Sequence, residues 1–475
     1  MTMSNIFDGV KKVHLIGVGG IGMSGIAEYL GRKKYEVTGS DLTSTPVTKR
    51  LEKFKVKIFE GHNENNLPDN TQLVIYSAAV NEDNPEYLKA KRLGIKMVKR
   101  AEALGNIVND KFVISVSGTH GKTTTTAMIA KVLIESKLDP TVFVGGNIDY
   151  LDGGSSRIGK SNIAVVEADE YDRSFLQLQS DIIVITNIDL DHLDIYKDIE
   201  DIKDSFRQFI DKGKKGLQII ACGDEKNVAD ILIDRKDKKL YGFNKENDYV
   251  IENISYGKTS IGFTLSKDDI KIVVPGKHNI LNAAAAYLTT KLFNVSEEKF
   301  NQSFETFYGV KRRLELKYHN GVKIYDDYAH HPTEVKATLE AVKNSNPGRV
   351  ITVFQPHLYS RTRDLYREFG AAFSGTDILI LDKIYPAREK EIKGVSSEMI
   401  LSEYNGNLAK QKVTPRNKIK EQGLYFDNKE MIMDELEKIS RDGDVIIFQG
   451  AGDITDLCSK YIKRIKTKSN WTVPL

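Results

Sequence analysis

Short runs of uninterrupted apolar residues recur along the whole chain, among them VHLIGV, LVIYSAA, FVISVSG, IAVVEAD, DIIVITN, LQIIACG, VITVF, DILILD and DVIIFQG. Turn residues bound each run, and helical stretches lie between them. A strand that is apolar at every position suits a sheet covered on both faces, and helices between such strands supply parallel crossovers. The pattern predicts an α/β protein built from several doubly wound sheets. The segment DYVIENISYGKTSIGFTLSKDDIKIVVPG departs from it and reads as short antiparallel strands turning at Ser266–Asp269, an appendage on the middle of the chain.

At 475 residues the chain exceeds one ordinary core and suggests three domains. The pattern restarts twice, giving expected units 1–107, 108–311 and 312–475. The second unit opens with a strand and loop at FVISVSGTHGKTTTT, the third with VKIYDDY after YGVKRRLE. We find no repeat or low-complexity run, and KTKSNWTVPL reads as a loosely held tail. With 69 basic against 66 acidic residues, the net charge of +3 gives no reason to expect nucleic acid as a partner. No stretch has signal-peptide or membrane-spanning length, and Cys222 and Cys458 lie outside any paired spacing. The expectation is a cytoplasmic protein with buried thiols, no membrane, no disulfide frame and no zinc site.

Two glycine loops carry the first candidate chemistry. Gly17, Gly19, Gly20, Ile21 and Gly22 follow the strand VHLI and precede a helix, and Ser40-Asp41 end the next strand. Glycines let a diphosphate approach a helix N-terminus, and an acidic residue at the second strand end can hold a ribose hydroxyl. A nicotinamide cofactor and a tight turn that binds nothing are the competing readings. In the second loop, Gly118, Thr119, His120, Gly121, Lys122, Thr123 and Thr124 form a phosphate cradle of the G-x-x-x-x-G-K-[ST] type, shortened because Val116 stands where the first glycine belongs. Backbone N–H groups would face phosphate oxygens, Lys122 would offset β/γ charge, and the Thr123 hydroxyl would ligate Mg²⁺.

Glu167 in EADE and His192 in TNIDLDH end later strands of the same unit, where an open α/β sheet places its ligands. Glu167 suits a hard cation and His192 a second, looser one. Asn279 and Asn282, three apart at a helix start, share a face and could hold nucleotide or metal-bound water; the alternatives are a helix cap and a surface amide. The third unit offers Arg312-Arg313, then Asp327, Tyr328, His330 and His331 in YDDYAHHP, then His357 and Arg361 in QPHLYSRT. These provide charge for a γ-phosphate, a carboxylate for a ribose or ammonium group, and an arginine for a carboxylate. Adjacent His330 and His331 lack zinc spacing. Asp382 and Gly450–Asp453 end further strands, as pocket walls or as turns.

GTHGKTTTT, EADEYD, TNIDLDHLD, HNILNAAAA, GVKRRLE, YDDYAHHPTEV and QPHLYSRT, in this order, resemble the Mur ligases of peptidoglycan synthesis over about residues 12–455. The resemblance implies a Rossmann-like N-terminal domain for a UDP-sugar, a central P-loop ATPase domain and a Rossmann-like C-terminal domain for an amino acid. It implies ATP, Mg²⁺ (with Mn²⁺ as a substitute), UDP-N-acetylmuramate and L-alanine as reactants, joined through an acyl phosphate. It leaves monomer and dimer equally open. Carried over residue by residue, Lys122 and Thr123 hold phosphate and Mg²⁺, Glu167 and His192 are metal ligands, and Asn279 and Asn282 meet adenine or the metal shell. Arg313 reaches the γ-phosphate, and Asp327 the nucleotide ribose. Tyr328, His330, His357 and Arg361 form the amino-acid pocket. Leu358 departs from the arginine common in the family, which puts one acceptor contact in question. The rival readings are a recycling ligase of the same fold that adds a tripeptide, a nicotinamide dehydrogenase and a non-catalytic UDP-sugar sensor.

Overall fold

The computed structural model describes residues 5–191, 195–257, 260–345, 348–387, 389–410 and 422–467. Among these residues the strands form three sheets. The first contains β1 (Lys12–Ile16), β2 (Glu36–Asp41), β3 (Lys57–Glu60), β4 (Leu73–Tyr76) and β5 (Lys96–Lys99), all parallel in the order β3-β2-β1-β4-β5. Strand order reverses at β1, so its carboxyl end, where Gly17–Gly22 begins, borders the crevice in which such sheets take ligands.

The second sheet contains β6 (Phe112–Ser117), β7 (Thr141–Ile148), β8 (Gly154–Arg157), β9 (Ile163–Glu167), β10 (Ile182–Ile185), β11 (Gln218–Cys222), β12 (Lys238–Gly242), β13 (Tyr249–Tyr256), β14 (Ile261–Leu265) and β15 (Asp268–Ile272). Its order is β15-β14-β13-β12-β11-β10-β6-β9-β7-β8. The centre is parallel, so β10, β6 and β9 deliver their carboxyl ends to one edge. The antiparallel strands β13 to β15 match the expected segment and continue the sheet, because β13 pairs in parallel with β12 at Tyr241–Tyr249 and Gly242–Val250. The antiparallel β7–β8 pair at the other edge has no counterpart among the sequence expectations.

The third sheet contains β16 (Glu315–Asn320), β17 (Val322–Asp327), β18 (Val350–Phe354), β19 (Ile378–Leu381), β20 (Gln422–Tyr425) and β21 (Val445–Gln449), in the order β16-β17-β21-β18-β19-β20. It is parallel except for the β16–β17 hairpin, which turns at Gly321 with φ +72°. The described chain divides into two compact units. One holds the first two sheets, in residues up to Gly257 with Ile261–Val273 and Asn279–Val310; the other holds the third, in Val274–His278 and from Lys311 onward.

Within the first unit, the helix Ile21–Arg32 lies against β7 and β8, and its Met23, Ile26 and Leu30 join Phe143 in one apolar core. Buried Glu28 on this helix is paired with Arg50 and with Arg32 (2.9 Å), and Arg50 also donates to the Asp152 carbonyl at 3.3 Å. Removing a carboxylate partner here would strand a buried charge. Both cysteines are buried, and burial pushes the Cys222 thiol up to about 12, as expected of inert apolar groups. No helix among the described residues is long and apolar enough to cross a membrane.

Two helical glycines test the packing with opposite signs. A Cβ on Gly105, in the helix Arg100–Val108, would lie 2.5 Å from the Gln177 carbonyl, whereas one on Gly406, in the helix Glu398–Lys410, meets nothing within 4 Å. Gly105→Ala should therefore destabilise by about 1–3 kcal/mol through overpacking. Gly406→Ala should stabilise by about 0.5–1 kcal/mol through helix propensity. Denaturant unfolding of the two variants checks this; a gain in both would contradict the close approach at Gly105.

Candidate active site

The loop after β6 takes its shape from the end of β10. Gly118 has φ +133°, and a Cβ there would lie 2.1 Å from Thr186 Oγ1. Thr186 Oγ1 donates to the His120 carbonyl at 2.6 Å, the His120 N–H donates to Asn187 Oδ1 at 2.7 Å, and the Asn187 amide returns a bond to the His120 carbonyl at 3.0 Å. Gly121, at φ +82°, caps the helix Lys122–Glu135 in a left-handed conformation that favours glycine. The loop thus ends at a helix N-terminus whose N–H groups suit phosphate. Thr119 is buried, Thr124 is half-buried in the first helical turn, and the shortened loop needs no glycine at buried Val116.

Lys122 Nζ donates to the carbonyls of Gly118 (2.5 Å) and Thr119 (3.0 Å) and lies 2.8 Å from Glu170. Burial by itself would lower its pKa, but Glu170 and then Asp169 outweigh that and hold it raised, so it remains an ammonium. Glu167, at the end of β9, accepts from Thr123 Oγ1 at 2.9 Å and from the Gly145 N–H at 2.6 Å. Burial raises its pKa, with Lys122 opposing. Two hard oxygen donors side by side, one of them an ionisable group short of positive charge, fit a Mg²⁺ ion. His192, the other expected metal ligand, lies outside the described residues.

Asn282 reaches the same loop. Its Oδ1 accepts from Thr125 Oγ1 at 3.1 Å and would lie 2.7 Å from a Cβ on Gly121, while its amide donates to Asn279 Oδ1 at 3.1 Å. Both asparagines are buried and lie inside the helix Lys277–Lys291, so neither the surface reading nor a cap at Asn279 describes them. From sequence, Glu170 and Asn187 are strand-end residues with no role of their own, and Thr186 is not singled out. They stand within EADE and TNID, but which side chains turn toward the loop was not visible.

At the first sheet, Gly17 has φ +80°, and the Gly19 N–H donates to Asp41 Oδ2 at 2.7 Å. Gly20 caps the helix Ile21–Arg32 without a side-chain hydrogen bond, and Gly22 lies against the Arg100 side chain. Asp41 therefore sits directly on the glycine loop. Ser40 is fully buried, and its hydroxyl donates to Glu86 Oε2 at 2.6 Å. Glu86, which sequence reasoning missed, also meets His14 Nε2 (2.7 Å), His62 Nδ1 (3.2 Å) and the Asn66 amide (3.2 Å). Burial pushes its pKa up, but the bonds from His14, Ser40 and Asn66 outweigh it and keep the pKa low.

In the compact unit that holds the third sheet, Arg312 (φ +60°) and Leu314 (φ +48°) hold Arg313 between two left-handed residues. Asp327 Oδ1 accepts the Leu314 N–H at 3.0 Å, and its Oδ2 accepts Thr338 Oγ1 at 2.7 Å and the Gln449 amide at 3.2 Å. Asp327 is thus buried and braces the Arg313 segment. Arg312 and Arg313 each lie over the Tyr328 ring, at 4.9 and 5.1 Å. Tyr328, His330 and His357 form a chain of edge-on rings with centroids 5.2 and 5.8 Å apart, and His357 stacks on Tyr385. Leu358 has φ +73°, with its N–H on the Tyr385 carbonyl at 3.0 Å, and Arg361 lies in the first turn of the helix Tyr359–Ala372. Gln355 ties Asp382 (2.9 Å) to Asp453 (2.7 Å), so these two strand ends are joined.

His278, also in this unit, is lowered to about 4 by burial and then by Arg313, with Glu334 opposing. The native imidazole stays neutral while the unfolded one protonates near its usual 6.5. Stability carried by this group is present above pH 6.5 and is lost as pH falls towards 4. NMR titration should find the His278 ring still neutral at pH 5.5, and His278→Gln should flatten the unfolding profile between pH 6.5 and 4. A midpoint near 6.5 would contradict the burial.

The chain matches three family models in succession: the Mur ligase family catalytic domain over residues 12–112, the Mur ligase middle domain over 116–290, and the Mur ligase glutamate ligase domain over 312–452. It is 43% identical to a UDP-N-acetylmuramate–L-alanine ligase of Acetivibrio thermocellus over 95% of this chain and 96% of that one. It is 42% identical to the protein of the same name from Clostridium tetani over 96% and 98%. Among solved structures, the UDP-N-acetylmuramate–alanine ligase of Thermotoga maritima superposes with a TM-score of 0.80 at 26% identity, covering 96% of this chain and 99% of that one. A murein peptide ligase of Psychrobacter arcticus shares the fold at a TM-score of 0.68 and 22% identity, covering 98% and 100%. On these matches, which run along nearly its whole length, the chain belongs to the Mur ligase family.

Proposed function

We propose that the chain joins L-alanine to the carboxylate of UDP-N-acetylmuramate, converting ATP to ADP and phosphate. The observation that carries this reading is the Lys122 ammonium beside the Thr123–Glu167 oxygen pair at the carboxyl ends of β6 and β9. The names of the relatives, matched over nearly the whole chain, support the choice of sugar nucleotide and amino acid.

A carboxylate is a poor electrophile. Its oxygen attacks the γ-phosphorus of ATP as the bond to the ADP oxygen breaks, giving an acyl phosphate. The alanine amine then attacks the acyl carbon, inorganic phosphate leaves, and the amine proton is lost. The loop N–H groups and Lys122 hold the phosphates, and Lys122 exchanges the Gly118 and Thr119 carbonyls and Glu170 for phosphate oxygens. Bound Mg²⁺ would offset phosphate charge from Thr123 and Glu167. Asn282 occupies the space a side chain at 121 would need and accepts from Thr125, and Asn279 orients Asn282. The roles of His192 as metal ligand, of Arg313 and Asp327 toward the nucleotide, and of Tyr328, His330, His357 and Arg361 toward the amino acid rest on the family resemblance. So does the division into 1–107, 108–311 and 312–475 for sugar nucleotide, ATP and amino acid. Soluble nucleotide substrates accord with a cytoplasmic setting.

Phosphate release from ATP and Mg²⁺ tests the reading, with UDP-N-acetylmuramate alone, with added L-alanine, and with added L-alanyl-γ-D-glutamyl-diaminopimelate. Release that needs both the UDP-sugar and L-alanine is expected; response to the tripeptide alone would place the chain with the recycling ligases, and no release would sink the ligase reading. Lys122→Met should cut the rate by about a hundredfold or more. Glu167→Gln should raise the Mg²⁺ concentration for half-maximal rate by about tenfold; an unchanged requirement would remove Glu167 from the metal.

A further inference from the structure

We propose that Arg100 binds the carboxylate of the sugar nucleotide, a role that rests on the substrate reading above. Arg100 opens the helix Arg100–Val108 directly after β5, at the carboxyl edge of the first sheet. A Cβ on Gly22 would lie 2.9 Å from its Cδ and Nη1, so the side chain lies against the first turn of the glycine-loop helix, and glycine at 22 makes room for it. On its other side, Nη2 is 3.8 Å from Asp169 Oδ2, an ion-pair distance too long for a hydrogen bond. The neighbouring Lys99 donates to Asp172 at 2.8 Å, which ties this edge to the loop after β9.

The Arg100 side chain is 23% exposed, and among the described residues its guanidinium donates no hydrogen bond. Arg32, Arg50, Arg157 and Arg173, in the same unit, all donate to oxygen. A guanidinium carries five donors in a fixed fork that matches a carboxylate or phosphate, and Asp169 at 3.8 Å meets its charge without taking any of those donors. Two anionic groups of the substrate could take it. The diphosphate has the backbone of Gly17–Gly22, whereas Arg100 stands between that loop and Asp169, whose neighbour Glu170 is the partner of Lys122. The substrate group that must lie toward Lys122 is the carboxylate, because its oxygen receives the phosphoryl group.

Calorimetric titration of the full chain and of Arg100→Met and Arg100→Lys decides the matter, using UDP-N-acetylmuramate, UDP-N-acetylglucosamine and ADP. UDP-N-acetylglucosamine has the same diphosphate and no carboxylate. Arg100→Met should weaken UDP-N-acetylmuramate binding about tenfold or more and leave the other two within about twofold, the ADP value showing that the variant is folded. Arg100→Lys should fall between, since it keeps the charge and loses the fork. Equal losses for both UDP-sugars would overturn the carboxylate assignment in favour of the diphosphate, and unchanged binding would overturn the role altogether. If the unmodified chain binds neither UDP-sugar, the substrate reading beneath the proposal fails first.

Discussion

Three parallel strands, β10, β6 and β9, must end in register for the phosphate loop to exist. Parallel pairing of Val116 with Val184 and Glu167 brings the residues just beyond these strands to one edge. There the end of β10 supplies Thr186 and Asn187 to shape the loop backbone, and the end of β9 supplies Glu167 and then Glu170. A slip by one residue in either pairing would turn these side chains to the opposite face.

The charges gathered at that edge are costly to bury, and the fold offsets them in pairs. Lys122 remains an ammonium because Glu170 and Asp169 outweigh its desolvation, while Glu167 receives a hydroxyl and a backbone N–H. Glu86 follows the same rule in the first sheet, where it gathers His14, Ser40, His62 and Asn66 behind the strand ends. In the third sheet, Asp327 gives one carboxylate oxygen to the Leu314 N–H beside Arg313 and the other to Thr338 and Gln449. Buried carboxylates near each candidate site thus hold backbone in place, and their replacement would act on position before it acted on charge.

Much of this was legible in the chain. Continuous Val/Ile/Leu runs specify strands covered on both faces, and both glycine loops follow a strand and precede a helix as their motifs require. Lys122, Thr123 and Glu167 were readable because their chemistry demands those residue types beside a phosphate loop, and the ordered motifs pointed to the family. Arg100 and Glu86 were not, because nothing in KRAEAL or NPEYL marks which side chain turns inward, nor that the Ser40 hydroxyl meets Glu86. The β7–β8 pair escaped notice because GSSR carries no apolar run.

By itself the sequence determined the class of sheet, the two loops and the identity of the groups able to meet phosphate, since each depends on local pattern and residue chemistry. Only the tertiary structure decided which of those groups are spent. Asp41 is turned onto the glycine loop, the Ser40 hydroxyl is set on Glu86 and Asp327 on Thr338, Glu170 is set on Lys122, and among the described residues the Arg100 guanidinium donates no hydrogen bond. The reason is physical: a side chain's availability depends on partners distant in sequence, and those partners are fixed by strand order and packing that no local pattern encodes.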